Sequence, residues 1–441
     1  MNSAIAKFGV IYPVHLLRGE LTPFHRNEIR SCDFLAADKL TQFHQAKLGH
    51  LLRHCYSREP YYRRMLESFA ARFPMDRPLE FFQEVPFLQK ELIRSKARPS
   101  RWRRLDCRST SGSTGLPMTF YKDRLATGYM EAVQNHAYAW HGIDVGDPQG
   151  RFWGMPFGRG GSLARLKDLL KNRIRFSAFD LGHQAKRSFY LRLQQFKPVY
   201  FYGYPSLILD FARFLRAENL SLDGVPLKAV IGTGEHVYPD EKEELEALTG
   251  VPFVAEYGCS EIGVIGFDCP HGRMHVMAAN VFVEVVDADG RRVPDGEEGE
   301  IVVTELNAGH FPFLRYRLGD RGRLTGEACS CGRTLPVLQL SAGRKDDYIV
   351  TPEGNRVYDA VLAYTLKKGV VQFKAVQDSV DHLLISVVTD SDFDALEQQY
   401  RLHLQEVLSS AMRIDFRRIA EIEREPSGKL RYFRSELKKP R

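Results

Sequence analysis

The sequence predicts an α/β protein in which a large N-terminal domain with mostly parallel sheets precedes a small C-terminal α+β domain. Between residues 186 and 256, helical segments alternate with short segments rich in β-branched and aromatic residues, as in parallel sheets with crossover helices. After residue 280, two apolar segments flank a polar stretch with Asp289-Gly290 and Asp295-Gly296, which is typical of antiparallel strands. The chain has 441 residues, enough for about three folding units or two unequal ones.

The elements of the large domain follow from the spacing of its apolar residues. Helical spacing predicts an amphipathic helix over 39–57 and further helices over 186–196, 205–217 and 240–248. Strands are expected at 199–202, 228–231 and 251–256. Ligands of such sheets bind beyond the carboxyl ends of the strands, and Gly232-Thr233-Gly234 and Tyr257-Gly258 fall there.

The pattern after residue 280 predicts antiparallel strands at 281–286 and 300–304, and the large unit ends around Ala342-Gly343-Arg344. The remaining chain predicts a strand at 383–388, a helix at 392–409 and a strand at 412–417. We therefore expect two domains, residues 1–345 and residues 346–441.

The composition excludes several classes of protein. Hydrophobic residues make up 44% and charged residues 27%, which is unlike disordered, collagen-like or coiled-coil chains. The charge balance is 62 − 55 = +7, which favours contact with phosphates or acidic groups without requiring nucleic acid.

No apolar run approaches the ~20 residues that span a bilayer. Residues 9–17 are apolar but are interrupted by Pro13 and His15, so we expect neither a secretory signal nor a membrane span. Seven cysteines without an export signal favour reduced thiols or bound metal over disulfides. The sequence thus predicts a cytoplasmic protein, and it leaves open whether the chain is a monomer or a homodimer.

The strongest local motif is Ser109-Thr110-Ser111-Gly112-Ser113-Thr114-Gly115-Leu116-Pro117. Closely spaced glycines let backbone N–H groups converge, and the hydroxyl side chains add donors, which suits phosphate oxygens. It is not a Walker loop, because no Gly-Lys-Ser/Thr follows. The alternative is a flexible Ser/Gly linker.

Four weaker motifs follow along the chain. In Tyr257-Gly258-Cys259-Ser260-Glu261 the ring can stack on a base, the hydroxyl can reach phosphate and the carboxylate can hold Mg²⁺. In Arg315-Tyr316-Arg317-Leu318-Gly319-Asp320, the Asp can bind a ribose diol, although the arginines could be solvated charges. Gly343-Arg344-Lys345-Asp346-Asp347 lies at the predicted boundary, and Glu425-Pro426-Ser427-Gly428-Lys429 places one lysine on a turn near the terminus.

The order and spacing of these five motifs resemble the adenylate-forming acyl ligase superfamily along essentially the whole chain. The nearest branch is similar to the phenylacetate–coenzyme A ligase family, including its capsule-biosynthesis-associated members. The resemblance implies that the small domain rotates about Asp346, and that Lys429 is catalytic. It also implies a carboxylate pocket built from the part of the large domain that holds Trp140, Trp153, Phe157 and Tyr204, although such aromatic residues are also ordinary core.

The resemblance also assigns the nucleotide-binding residues. The resemblance implies that the Ser/Thr/Gly loop binds the triphosphate and that Gly232–Glu235, with Tyr257, contact the adenine. Ser260 and Glu261 match the phosphate and Mg²⁺ positions. Asp320 matches the ribose-binding position, and Arg344 the second ribose or phosphate contact. The implied nucleotide contacts are Thr110, Ser111, Gly112, Ser113, Thr114, Gly115, Gly234, Glu235, Tyr257, Ser260, Asp320 and Arg344.

The implied reaction joins a carboxylic acid to ATP with Mg²⁺, giving an acyl-adenylate and pyrophosphate. Coenzyme A then displaces AMP, and the acid is expected to be an aryl or arylacetic acid. The alternative keeps the adenylation step and passes the acyl group to an amine, an amino sugar or a carrier protein. Charge neutralisation and positioning supply most of the rate in such a reaction, because both reactants are anionic.

A cysteine and histidine cluster predicts a structural zinc site. Cys269-Pro270-His271-Gly272-Arg273-Met274-His275 is followed by Cys329-Ser330-Cys331, and thiolates with an imidazole from two loops can close a tetrahedral Zn²⁺ site. Some members of the resembled family carry such a zinc. We expect Cys269, His275, Cys329 and Cys331 as ligands, with His271 as the rival; the alternative is buried thiols and solvated histidines.

A competing hypothesis uses the basic run from Arg94 to Arg108, which contains Trp102. Such a run could bind RNA or the phosphates of coenzyme A, although more often it is a solvated face. A zinc-stabilised nucleic-acid-binding protein would leave the Ser/Thr/Gly loop and Lys429 without a role. Nucleic acid is therefore not an expected partner.

Overall fold

The structure is a computed structural model that describes residues 1–70, 77–96, 105–109, 118–153, 161–177, 182–235, 237, 239–341, 348–366, 370, 372–389, 393–420, 422 and 433–437. The α-helices of these ranges are α1 Tyr12–Arg18, α2 Arg26–Cys32, α3 Ala37–Arg58, α4 Pro60–Ala70, α5 Lys90–Lys96, α6 Arg124–Ala139, α7 Gly161–Leu170, α8 His183–Phe196, α9 Pro205–Ala217, α10 Pro239–Thr249, α11 Ala360–Thr365 and α12 Asp394–Val407. A π-helical segment covers Ile5–Ile11, and short 3₁₀ turns cover Thr22–His25, Pro78–Glu80 and Phe82–Glu84.

The strands of the described ranges are β1 Leu105–Ser109, β2 Thr119–Asp123, β3 Gln149–Trp153, β4 Arg173–Ser177, β5 Tyr200–Gly203, β6 Ala229–Thr233, β7 Phe253–Cys259, β8 Gly263–Asp268, β9 Met274–Val276, β10 Val281–Val286, β11 Gly299–Glu305, β12 Tyr316–Thr325, β13 Val337–Leu340, β14 Tyr348–Val350, β15 Arg356–Tyr358, β16 Gln372–Ser379, β17 His382–Val388, β18 Arg413–Arg418 and β19 Phe433–Ser435. The predicted elements at 39–57, 186–256 and 281–304 are confirmed as α3, as the alternating elements α8 to β7, and as the antiparallel pair β10 and β11.

Within the described residues, an 11-stranded sheet runs through the large domain in the order β10-β11-β12-β13-β9-β8-β7-β6-β5-β3-β4. Strands β4, β3, β5, β6 and β7 are parallel neighbours. From β7 onward every neighbouring pair is antiparallel. The predicted α/β class is confirmed. The parallel strands include those of residues 186–256, the segment from which parallel pairing was predicted.

The parallel half is covered on both faces by apolar layers. Alternation along β5 places Phe201 in a core with Phe152, Phe211 and other residues, and Tyr202 in a second core with Val133 of α6. Burial on both faces explains why β5 and β6 are nearly continuous apolar runs.

Glycine is required where β5 ends. Gly203 has φ +147°, and a Cβ there would lie 1.8 Å from the Phe152 carbonyl oxygen on β3. A side chain would therefore push apart the two strands whose carboxyl ends frame the site.

Helix α6 is fixed to the antiparallel half by its N-cap, Asp123. One oxygen of the Asp123 carboxylate accepts from the Ala126 N–H at 2.9 Å, and the other accepts from the N–H groups of Gly309 at 2.7 Å and His310 at 2.9 Å. Such caps contribute about 1 kcal/mol of helix stability. Here the same residue also sets the position of α6 over the sheet.

The small domain contains a second sheet with the strand order β18-β17-β16-β19. Its central pair β16 and β17 is antiparallel and its outer pairs are parallel. The predicted elements at 383–388, 392–409 and 412–417 are confirmed as β17, α12 and β18. The predicted boundary near residue 345 lies outside the described residues and stays a prediction.

Two ion pairs are buried in the antiparallel half. Lys122 of β2 pairs with Glu305 of β11, with side-chain exposures of 0% and 1%. Arg315 pairs with Glu284 of β10 at 3.1 Å and donates to the carbonyls of Gln83 at 2.5 Å and Val85 at 2.8 Å. Arg315 is therefore not a solvated charge; it joins the 3₁₀ segment to the sheet.

Among the described residues, every helix is too short or too polar to cross a lipid bilayer.

Replacing Lys122 with Met is expected to lower the free energy of unfolding by about 3–5 kcal/mol, because it leaves Glu305 buried without a partner. Burial raises the pKa of Glu305 and the Lys122 ammonium opposes that shift, so the variant must protonate or expose the carboxyl. Urea denaturation at pH 7 measures the loss. Arg291→Met, at an exposed pair 3.7 Å from Asp289, is the control and should change stability by less than about 1 kcal/mol. Equal effects of the two substitutions would contradict the assignment.

Candidate active site

A cavity of about 1060 Å³ opens at the carboxyl ends of the parallel strands. Its walls come from α6, from the ends of β3, β5, β6 and β7, and from the neighbouring strands β8, β12 and β13. This is where open α/β sheets bind their ligands. The predicted residues Gly234, Glu235, Tyr257, Ser260, Glu261 and Asp320 all line it.

Tyr257 and Asp320, 63 positions apart in the chain, meet in this cavity. The Tyr257 hydroxyl donates to Oδ2 of Asp320 at 3.0 Å. The pair places an aromatic face beside a carboxylate, which suits a nucleoside with its base stacked and its diol hydrogen-bonded.

Glu261 is buried beside the same cavity, at 3% exposure. Its Oε1 accepts from the Tyr316 hydroxyl at 2.9 Å, and burial together with this carboxylate raises the pKa of Tyr316. The hydroxyl therefore remains a donor that fixes the rotamer of Glu261. Oxygen ligands of this kind fit Mg²⁺.

Cys259 lies between these residues, and burial raises the pKa of its thiol well above the usual range. The thiol, whose burial is intermediate, therefore stays neutral, and a neutral thiol is a poor nucleophile.

Gly234 and Glu235 form the turn after β6. Gly234 has φ +82° and faces the ring of Tyr204, a conformation that favours glycine. The Glu235 carboxylate accepts from the backbone N–H of Ser206 at 2.9 Å and from its hydroxyl at 3.0 Å. Since Ser206 is at the start of α9, Glu235 joins this turn to the N-terminal end of that helix.

A second group of cavity residues was not predicted from the sequence. Glu256 accepts hydrogen bonds from the hydroxyls of Tyr202 at 3.1 Å and Tyr138 at 2.9 Å, and from the Gln134 amide at 3.2 Å. Arg151 of β3 lies beside them. The available signal for Glu256 was a charged residue at the end of a predicted, otherwise apolar strand. Arg151 lies on β3, which the sequence analysis did not predict.

Two of the aromatic residues that the resemblance places in the carboxylate pocket line the cavity, and a third does not. Trp153 and Tyr204 line the cavity and stack at 4.6 Å, whereas Trp140 packs against His275 at 6.2 Å. Phe157 lies outside the described residues. From the basic run, Arg108 lines the cavity, and its guanidinium donates to Thr127 at 3.1 Å.

Several predicted site residues lie outside the described residues. They are Thr110, Ser111, Gly112, Ser113, Thr114, Gly115, Arg344, Asp346 and Lys429. Their roles stay predictions.

The four predicted metal ligands come together at the far end of β8. The ligand atoms of Cys269, His275, Cys329 and Cys331 all lie within 4.8 Å of one another. Cys269 Sγ is 3.7 Å from Cys329 Sγ, and Cys331 Sγ is 3.3 Å from His275 Nε2. The rival His271 is outside this group, and its Nδ1 lies 3.1 Å from the Ser330 hydroxyl.

The surroundings of His275 suit metal binding. Its Nδ1 is 3.0 Å from the Leu335 carbonyl oxygen, so Nδ1 carries the proton and Nε2 is the nitrogen aimed at the cysteines. Burial lowers the pKa of His275, which keeps the imidazole in the neutral form that ligates metals. The donor set of three thiols and one imidazole fits Zn²⁺.

Asp33 joins the cysteine loop to the N-terminal helices. Its carboxylate accepts from the Trp140 indole at 3.1 Å and from Arg333 at 3.2 Å, and it lies 3.0 Å from His136 Nε2. The Arg333 guanidinium in turn stacks 4.1 Å from the Trp140 ring. One buried carboxylate thus fixes the residue that follows Cys331-Gly332.

Comparison with known proteins gives two family matches. Residues 177–308 match the AMP-binding enzyme family, and residues 349–436 match the CapK C-terminal domain. Phenylacetate-coenzyme A ligase of Thermus thermophilus is 30% identical over 381 residues, covering 82% of this chain and 81% of that protein. Protein CapK of Staphylococcus aureus is 21% identical over 374 residues, covering 80% of each.

Among solved structures, 2-hydroxyisobutyryl-CoA ligase in complex with 2-HIB-AMP and CoA has a TM-score of 0.63 and 22% identity, covering 92% of this chain and 91% of that chain. At this identity, the likeness concerns the fold.

Replacing Asp33 with Ala is expected to lower the free energy of unfolding by about 2–4 kcal/mol, because Arg333 and Trp140 lose a buried charged acceptor. Urea denaturation measures the loss, and the fluorescence of Trp140 should change with it. Asp289→Ala is the control, since Asp289 is exposed beside Arg291. An Asp33→Ala protein as stable as this control would show that the carboxylate does not hold the loop.

Proposed function

The chain belongs to the phenylacetate–coenzyme A ligase family of adenylate-forming enzymes, and we propose that it activates an aryl or arylacetic acid with ATP and transfers the acyl group to coenzyme A. The single observation that carries this proposal is the meeting of Tyr257, Asp320 and Glu261 in one cavity at the carboxyl ends of the parallel strands.

In the proposed adenylation step, the acid carboxylate attacks the α-phosphate of ATP and pyrophosphate leaves. Tyr257 stacks on the adenine, Asp320 accepts from the ribose hydroxyls, and the Ser/Thr/Gly loop at Thr110–Gly115 holds the phosphates. Glu261 would hold Mg²⁺, whose charge offsets that of the phosphates. Both reactants are anionic, so fixed positive charge and donors placed before reaction provide most of the rate.

Lys429 is proposed to bridge the attacking carboxylate and the α-phosphate during adenylation, with Arg344 at the ribose. In the second step the thiol of coenzyme A attacks the acyl carbon and AMP leaves. We propose that rotation at Asp346 moves Lys429 away between the two steps, as hinge motion commonly separates half-reactions.

An ion pair between the two domains must break for this motion to occur. Arg356 of the small domain pairs with Glu241 of α10 at 2.6 Å. Arg356 is half exposed, so the pair is weak enough to break during turnover.

A second candidate function is favoured by the match of residues 349–436 to the CapK C-terminal domain. In this alternative the acyl-adenylate is the same, and an amine, an amino sugar or a carrier protein accepts the acyl group. We propose that the face of the small domain turned to the site in the second step selects the acceptor, so a difference on that face would change the acceptor while Lys429 keeps its role in adenylation.

We further propose a structural Zn²⁺ on Cys269, His275, Cys329 and Cys331. Four protein ligands leave no open position, so the ion would stabilise the fold and take no part in the reaction. Use of ATP and coenzyme A is consistent with a cytoplasmic enzyme.

The proposal is tested by ATP–pyrophosphate exchange with Mg²⁺ across aryl, arylacetic, fatty and amino acids, followed by addition of coenzyme A. Exchange with an aryl acid and release of its thioester are expected. In Lys429→Ala, exchange should fall at least about 100-fold, since it removes a charge placed on the transition state, while acyl transfer from supplied acyl-adenylate persists. Lys439→Ala in the same basic tail should leave both steps unchanged.

Absence of exchange with every acid would contradict the adenylation proposal. Exchange without thioester formation would favour the second candidate function. Equal loss of both half-reactions in Lys429→Ala would remove the role given to this lysine.

Cys331→Ser is expected to lower the zinc content and the thermal stability together, because metal binding contributes directly to folding. Inductively coupled plasma mass spectrometry of the purified protein and a thermal melt measure the two effects. Cys107→Ser, at an exposed thiol outside the cluster, should change neither. A native protein without zinc would show the proposal to be wrong.

A further inference from the structure

The side chains of strand β7 reach two sides of the cavity, which we call the nucleotide lobe and the acid lobe. Consecutive side chains of a strand point to opposite faces, and the contacts of Tyr257 and Glu256 follow that rule. Tyr257 reaches Asp320 on β12, on the nucleotide side, whereas Glu256 reaches Tyr202 on β5 and Tyr138 on α6. We define the acid lobe as the part lined by Gln134, Arg151, Trp153, Tyr202 and Glu256.

One wall of the acid lobe is flat and aromatic. The ring of Trp153 stacks on Tyr202 at 5.7 Å with an interplanar angle of 13°, and on Tyr204 at 4.6 Å with an angle of 18°. An aromatic ring can pack against the edge of this stack. The acid lobe therefore suits an aromatic acid.

The opposite wall is not apolar. The Glu256 carboxylate is 8% exposed and receives hydrogen bonds from hydroxyl and amide groups only. Burial raises the pKa of Glu256, while the hydrogen bonds of Gln134, Tyr138, Tyr202 and Thr233 lower it. Hydroxyl donors can turn away from the carboxylate, so a ligand hydroxyl can take the place of one of these four donors.

Arg151 brings a cation to the same lobe. Its guanidinium lies 4.7 Å from the Trp153 ring and 4.9 Å from the Tyr202 ring. Among the described residues it makes these ring contacts, and no ion pair with a carboxylate is found for it. An unsubstituted ring would remove water from this cation without replacing the lost hydrogen bonds, which is costly.

The two charges decide which substituent fits. Tyr202 contacts both charged side chains: its hydroxyl donates to Glu256, and its ring lies under the Arg151 guanidinium. An ammonium group would meet the charge of Arg151, and a second carboxylate would meet that of Glu256. A neutral hydroxyl can donate to Glu256 and accept from Arg151.

We infer that the acid substrate is a hydroxyl-substituted aromatic acid, with its ring on Trp153 and its hydroxyl between Glu256 and Arg151. This inference rests on the proposed function, in which the carboxylate at the other end of the acid faces the nucleotide. Glu256 and Arg151 are then specificity-determining residues.

The test compares matched acids that differ by one hydroxyl: 3- and 4-hydroxyphenylacetate against phenylacetate, and 3- and 4-hydroxybenzoate against benzoate. In ATP–pyrophosphate exchange, kcat/KM for the best hydroxylated acid should exceed that of its unsubstituted partner at least about 100-fold. Sites built to bind a substrate hydroxyl discriminate by up to about 10⁴–10⁵-fold. Equal kcat/KM values within a pair would overturn the inference.

The variants Glu256→Gln and Arg151→Met should reduce that preference to below about 10-fold, with the loss confined to the hydroxylated acid. An equal loss for both acids of a pair would show a merely structural role and overturn the assignment. ATP affinity, measured by calorimetry, should be unchanged and reports on the integrity of the nucleotide lobe.

Direct binding of the same acids, measured by calorimetry, separates the two proposals. A hydroxylated acid that binds more tightly than its partner but supports no exchange would contradict the proposed function and uphold the pocket assignment. Exchange that proceeds with the unsubstituted acids alone would uphold the proposed function and overturn the inference.

Discussion

The site depends on the backbone of β7. This strand is hydrogen-bonded to the parallel β6 on one side and to the antiparallel β8 on the other, so the two halves of the sheet meet there. Side-chain alternation then sends Glu256 and Tyr257 to opposite lobes, and a register shift between Tyr257 and Gly258 turns the chain toward Glu261. A one-residue slip would exchange the lobes and expose the buried carboxylates.

Strand β8 connects the cavity to the cluster of cysteines and His275. It begins two residues after Glu261 and ends at Asp268, beside Cys269, so one strand joins the reacting end of the cavity to the proposed zinc site. His275 lies on β9 and is paired with Val337 of β13, and Cys329 and Cys331 lie in the loop between β12 and β13. A structural ion at this place would stabilise the strand that follows Glu261 without touching the substrates.

The alternating elements from α8 to β7, the pair β10 and β11, and the elements β17, α12 and β18 could be predicted from the sequence, because such elements leave a local periodicity. The strands β3, β4, β8, β9, β12 and β13 of the large sheet were not predicted. The cluster of Cys269, His275, Cys329 and Cys331 could be predicted from residue type, and the pairing of β9 with β13 places His275 rather than His271 in it. The acid lobe could not be predicted, since Gln134, Arg151 and Glu256 belong to no motif and meet only through the tertiary packing of α6 on the sheet. The sequence also left open whether Arg315 is a solvated charge, since its buried pair with Glu284 joins positions 31 residues apart.

The pair of Lys122 and Glu305 also limits how this protein can evolve. The two residues are 183 positions apart, and the loss of either one leaves a buried charge that costs several kcal/mol. A lineage that changed one position would cross a destabilised intermediate before the second change restored packing. The two positions should therefore stay constant or vary together among descendants of this sequence, even though neither residue lines the cavity.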